Sequence, residues 1–136
     1  FIPFLVVIRD AGAPVVLVAP CCHHDLQRQL LGSPPPRPYG PLTRHGILRE
    51  RFADVLTDAV RANLLRILGY RVEVVEFVES VHTPRNTLLR AVRTGSAADP
   101  AQTAEYAELI AGWGIRPALH ARLADEVDTA TARTAR

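Results

Sequence analysis

The chain has 136 residues, 48% of them apolar and 22% charged, with a formal net charge of +2. Such a composition excludes an intrinsically disordered polypeptide and supplies enough aliphatic surface for one domain-sized core. All 16 basic residues are Arg, spread along the chain against 14 acids instead of gathered in a block, so the basic balance is a weak pointer to polyanions and a nucleic-acid partner is unsupported.

The longest apolar stretch, Phe1 to Ile8, contains a proline and falls far short of the roughly 20 residues a bilayer helix needs, so no membrane partner is expected. It has neither a basic leader nor a small-residue cleavage pattern, so it does not read as a secretory signal, and a cytoplasmic location is the default. The chain opens with Phe1 and contains no Met, which leads to the expectation that this is not an intact translated start. Cys21 and Cys22 are neighbours, a spacing that closes only a strained ring, and they read as free thiols.

In chain order, residues 1–11 read as the end of a helix stopped in the turn around Gly12 and Pro14. Residues 15–19 are apolar at every position, which predicts a strand covered on both faces and hence a parallel sheet with helices on each side. Pro20 to Asp25 lead off that strand into a short helix, Leu26 to Leu31, ended at Gly32. Four prolines between Ser33 and Gly40 dictate an extended, irregular loop. From Ile47 to Leu68, Leu48, Phe52, Val55, Leu56, Ala59, Val60, Leu64 and Leu68 recur at steps of three and four. The spacing predicts a long amphipathic helix with Arg49, Glu50, Asp54, Asp58 and Arg61 on its wet face.

Gly69 supplies a left-handed stop, and Tyr70 to Val78 reads as a strand, again buried on both faces, which makes Glu73 and Glu76 odd unless they lie near an end or a pocket. Asn86 to Arg93 is a third strand, and the short connection before it requires it to run antiparallel to its predecessor. Asp99 as N-cap, with Pro100 and Gln102, opens a helix to about Ala111, and Pro117 starts another to about Ala124. Beyond Asp125 the small polar residues predict a frayed tail. The expected organisation is an α/β unit over 1–95, a helical extension over 96–125 and a tail over 126–136.

Strand 15–19, helix 47–68 and strand 70–78 form a βαβ unit whose right-handed crossover makes the two strands parallel. Their ends, and the start of the third strand, then share one border of the sheet, where open α/β sheets bind ligands. That border collects Pro20-Cys21-Cys22-His23-His24 and His82-Thr83-Pro84-Arg85-Asn86, the segments richest in polar residues suited to chemistry.

These residues carry a resemblance. The order of a strand, Pro20-Cys21-Cys22-His23, a long helix with Leu56-Thr57-Asp58-Ala59-Val60-Arg61, Gly69-Tyr70, a strand, His82-Thr83-Pro84-Arg85-Asn86 and a reversed last strand resembles the C-terminal half of a class I S-adenosylmethionine-dependent methyltransferase. More narrowly it is similar to the group with Pro-Cys-Cys-His after its fifth strand, over roughly residues 5–95. The resemblance implies an α/β fold, the C-terminal part of a Rossmann-like methyltransferase sheet, with two parallel strands plus a final antiparallel strand. It implies S-adenosyl-L-methionine as cofactor of the complete enzyme and a methyl acceptor that is RNA, a protein or a small molecule. The family's glycine-rich loop, ribose-binding acid and fourth-strand motif all precede strand five and have no counterpart here. A fragment inactive on its own is therefore expected.

Within this reading His23 is the candidate catalytic residue, an imidazole to accept a proton from the incoming nucleophile. Cys21, Cys22, His82, Arg85 and Asn86 are candidate substrate-binding residues. Blander readings stand beside these. The cysteines can be small buried groups, Thr83 to Asn86 can be turn chemistry, His24 can be a solvated first-turn residue, and Asp25 can complement a helix dipole. Trp113 is expected to anchor the C-terminal helices on the sheet. A metal site drawing on Cys21, Cys22, His23, His24, His45 and His82 is disfavoured, because adjacent ligands diverge, and no metal is expected. A non-catalytic binding or regulatory module without cofactor is the alternative function, with a metal-binding domain third.

Overall fold

The computed structural model describes residues 12–20, 23–79, 81 and 86–134. In chain order these form β1 (Val15–Val18), α1 (His24–Gly32), α2 (Gly40–Thr43), α3 (Gly46–Ile67), β2 (Tyr70–Glu76), β3 (Thr87–Arg93), α4 (Pro100–Trp113), α5 (Ala118–Arg122) and α6 (Ala124–Thr134). The expected helix end over 1–11 lies outside the described residues.

The long helix forms where the spacing predicts, but its inward stripe is Ala53, Leu56, Val60, Leu64 and Ile67, all buried. Val55 and Leu48 point outward. Steps of three and four keep such residues on one face, and that face packs on β2 and β3. Leu68 ends the helix with its N–H on the Leu64 carbonyl, and Gly69, at φ +91°, turns the chain into β2. A Cβ at Gly69 would lie 3.4 Å from the Ser96 carbonyl, an ordinary contact, so it is the backbone angle that calls for glycine.

The sheet corrects the expected topology. It has three strands in the order β1-β3-β2, and both pairings are antiparallel, Val15 with Val92 to Val18 with Leu89, and Tyr70 with Arg93 to Glu76 with Thr87. No parallel pair exists among the described residues, so the predicted Rossmann-like sheet with parallel strands is not what the chain forms. The physical reason is that β3 takes the place beside β1. β1 and β2 point the same way only because each opposes β3, and they do not touch as neighbours.

Burial on both faces is corrected too. In β1, Val16 and Val18 are buried while Val15 and Leu17 are exposed. In β2 Tyr70 and Val72 are buried and everything from Glu73 onward is exposed. Helices cover one side of the sheet, so strands alternate as antiparallel sheets with one bare face do. Glu73 thereby sits without difficulty on the bare face, 3.4 Å from Arg90 of the neighbouring strand.

The C-terminal helices close the helical layer. Asp99 caps α4 by accepting from the Ala101 N–H at 2.9 Å, and Gly114 ends it in the left-handed conformation. Trp113 is buried against Phe52 of α3, with ring centroids 4.6 Å apart, and against Tyr39, at 5.9 Å. It pins α4 and the proline-rich loop to α3 rather than to the sheet as expected. The tail expected to fray is the helix α6, because Val127 is buried and Ala130 packs on the same core. No described helix is long and apolar enough to cross a membrane.

Candidate functional site

The register puts the end of β1, the end of β2 and the start of β3 on one border. Val18 lies opposite Leu89, Leu89 opposite Val74, and Glu76 opposite Thr87. One further ladder bond, from the Phe77 N–H to the Asn86 carbonyl at 3.1 Å, carries the β2–β3 pairing to the connection itself. The chain leaving β1 reaches α1 through His23, so the described ends of the two segments singled out from the sequence, Pro20 and His23 in one and Asn86 in the other, follow strand ends on this border.

His23 is the best-defined residue of the border. The residue is 4% exposed, although it precedes a helix at the edge of the sheet. Two carboxylates of α3 bracket it. Nε2 donates to Asp58 Oδ1 at 3.1 Å, and Nδ1 stands 3.5 Å from Asp54 Oδ1. Arg61, itself buried, approaches the same Asp58 oxygen at 3.6 Å, and Gln27 of α1 donates to Asp54 at 3.4 Å.

Asp54, Asp58 and Arg61 follow one another at steps of four and three, which stacks them on one stripe of α3 turned toward α1. The sequence reading assigns this trio to the wet face, and the structure corrects it. Charges that far from water persist only when paired, and here they are paired with each other and with an imidazole 35 residues away.

This geometry limits what His23 does. Both ring nitrogens face α3 and the ring is enclosed, so the imidazole holds the segment after β1 against the long helix and does not present a free nitrogen to the border. His24 is exposed and shares a 3.3 Å contact with Gln27, as a first-turn residue does. Asp25 does more than complement a dipole. It accepts from Gln29 at 3.1 Å and from the Ala118 N–H at 3.4 Å, while Gln29 exchanges bonds with the backbone of Arg116 at 2.7 and 3.0 Å. α1 thus clamps the start of α5.

Asn86 is committed within its own connection. Its side-chain amide donates to Glu76 and, at 2.7 Å, to the Val78 carbonyl. That supports the turn-chemistry reading of this residue over a free substrate contact and explains the placement of Glu76. Cys21, Cys22, His82 and Arg85 lie outside the described residues. Among the described residues no group of three or more His, Cys, Asp or Glu side chains is arranged to hold a metal ion.

Comparison with protein-family models, with curated proteins and with solved structures found no match.

A sulfonium nucleoside the size of S-adenosylmethionine needs a concave, partly apolar cradle, and one open cleft, of about 340 Å³, lies at the opposite border between Tyr70, Arg93 and α6. Gly12, Gly69 and Gly95, three of the four glycines with positive φ, also lie at that opposite border, and the fourth, Gly114, ends α4. None supplies a backbone cradle near His23, so no step is derived through the cofactor.

Proposed function

We propose that this chain is the acceptor-side part of an S-adenosylmethionine-dependent methyltransferase, inactive alone, whose border segments around Pro20–His23 and Glu79–Asn86 form the surface on which a methyl acceptor would sit. The observation supporting this is the position of β3, which opposes both β1 and β2 and so brings the end of β1, the end of β2 and the start of β3 to one border. The reading rests on that convergence and on the resemblance of Pro20 to His23 and His82 to Asn86, not on a parallel sheet. In it His23 is a positioning residue, fixing the course of the chain after β1, while Cys21, Cys22, His82 and Arg85 keep the contact roles the resemblance implies.

The test measures S-adenosylhomocysteine binding by calorimetry, on this chain and on a version extended upstream by its own coding sequence. The reading predicts no binding by the first and binding by the second. Tight binding by the shorter chain would overturn the fragment assignment, and none by the extended chain would remove the methyltransferase. The burial of His23 favours one second reading, a non-catalytic binding or regulatory module without cofactor, which predicts no binding by either.

A further inference from the structure

Four acids beside the border of His23 are held by bonds within the chain. Asp54 and Asp58 face His23, Asp58 also meets Arg61, Asp25 accepts from Gln29 and from the Ala118 N–H, and Glu76 is bonded by Asn86. The neighbouring arginines are not held in this way. Residues 26–53 carry Arg28, Arg37, Arg44, Arg49 and Arg51 against a single acid, Glu50, in a chain of net charge +2, so the remainder of the chain is net acidic. Arg49 is half-buried and donates to the Thr43 carbonyl at 3.2 Å. Arg28, Arg37, Arg44 and Arg51 are exposed, and none of the four forms an ion pair with a described carboxylate. Taken along the whole sequence the arginines are dispersed; the fold leaves these four uncompensated.

The same four stand past the border. From Ile67 back to Asp58, α3 rises about 13 Å, and β2 rises about as much from Tyr70 to Val74, which lies level with Leu89 and Val18. Asp58 is thus at the height where β1 ends, in keeping with its contact to His23. The part of α3 before it, from Gly46, projects about 18 Å further. α1 runs beside that part, because His23 meets Asp58 and Gln27 meets Asp54. Arg28 follows Gln27 in α1, Arg37 lies in the loop to α2, Arg44 precedes α3 and Arg51 is in its second turn, so all four belong to this projecting corner.

We propose that the corner binds a single-stranded nucleic acid through its phosphates. Combined with the methyltransferase reading, on which this second step rests, it makes a nucleic acid the methyl acceptor, laid across the adjoining border. Guanidinium groups match phosphate oxygens bidentately, and a strand that meets several of them gains by releasing its counterions. Tyr39, exposed two residues beyond Arg37, offers a ring on which a base stacks. An anionic bilayer presents the same charge, and Leu31, Leu42 and Ile47 are exposed among the arginines. The strand is favoured because an acceptor has to reach the border as well as the corner, and an extended polymer spans both.

Fluorescence anisotropy of labelled strands of about 20 nucleotides, RNA in one arm and DNA in the other, tests this on the full chain without cofactor. Micromolar binding at low salt is expected in at least one arm, and the tighter arm names the sugar. Log K should fall against log salt with a slope of about −2 to −3, as three or four phosphate contacts give on a single strand. Arg28→Ser with Arg51→Ser should weaken binding about tenfold, and lysine at both positions should restore most of it. Arg71→Ser with Arg133→Ser, at the opposite border, should change it by less than about twofold. Absence of binding by both strands overturns the proposal, as do equal losses from the two pairs of serine substitutions. Binding to phosphatidylcholine–phosphatidylserine vesicles in preference to both strands overturns it too. The measurement involves no cofactor, so its failure leaves S-adenosylhomocysteine binding by the extended chain untouched, whereas failure of that binding removes the acceptor role alone.

Discussion

His23 Nε2 lies 3.1 Å from Asp58 Oδ1, and this contact ties the segment leaving β1 to the middle of α3. Both partners are largely withdrawn from water, with side-chain exposures of 3% and 14%. Removing Asp58 leaves the buried imidazole with only the more distant Asp54 and takes a carboxylate from Arg61, so Asp58→Ala is expected to lower stability by about 2–4 kcal/mol in urea unfolding. His23→Gln and Asp58→Asn should couple by about 1 kcal/mol or more in a double-mutant cycle. Additive effects would mean that the contact carries no energy.

Trp113 joins three parts of the chain through Phe52 and Tyr39. Trp113→Ala should cost about 3–5 kcal/mol, the range for deleting a buried aromatic side chain. Far-UV circular dichroism during denaturation reads the loss, and a cost below 1 kcal/mol would contradict the packing.

Much of the element order is legible in the sequence. The apolar steps of α3, the Asp99-Pro100 start of α4 and the stop at Gly69 are local signals, decided by capping and periodicity within a few residues. Strand pairing is not local. Val15 to Val18 are all aliphatic, and a run without alternation does not say which face is covered, so β1 reads as buried on both sides when Val15 and Leu17 are bare. The two carboxylates beside His23 were hidden for the converse reason. Asp and Glu on a helix ordinarily mark its wet side, and nothing near Asp54 or Asp58 announces a histidine 35 residues upstream of the latter. The spacing of Asp54, Asp58 and Arg61 was the available signal. α6 escaped because its inward stripe is short, resting chiefly on Val127 and Ala130 among Thr and Arg residues.

Tyr106 offers a pH test. Burial pushes its hydroxyl well above the ordinary tyrosine value of 10.0, and the hydroxyl meets His120 Nδ1 at 3.0 Å. The folded chain therefore holds this proton more tightly than the unfolded chain does. The contribution is fully present below about pH 10 and is lost as pH rises above it, where the unfolded chain ionises first. Stability should fall on going from pH 9 to 11, and Tyr106→Phe should flatten that fall while costing about 1 kcal/mol at neutral pH. An equally steep fall in the variant would contradict the assignment.

Gly69 combines φ +91° with a Ser96 carbonyl 3.4 Å from the position of a Cβ. Gly69→Ala should destabilise by about 1–2 kcal/mol from the backbone angle alone, read from thermal unfolding. A neutral or stabilising effect would show that the turn between α3 and β2 relaxes elsewhere.

The convergence of the two border segments depends on β3 lying between β1 and β2, and backbone nuclear Overhauser contacts in the intact chain read this directly. The expected pattern links Val18 to Leu89 and Leu89 to Val74, with Val15 near Val92 and none of the β1 residues adjacent to β2. Contacts joining Val18 directly to Val74, or Val18 to Val92 in a parallel register, would contradict the shared border and with it the functional reading.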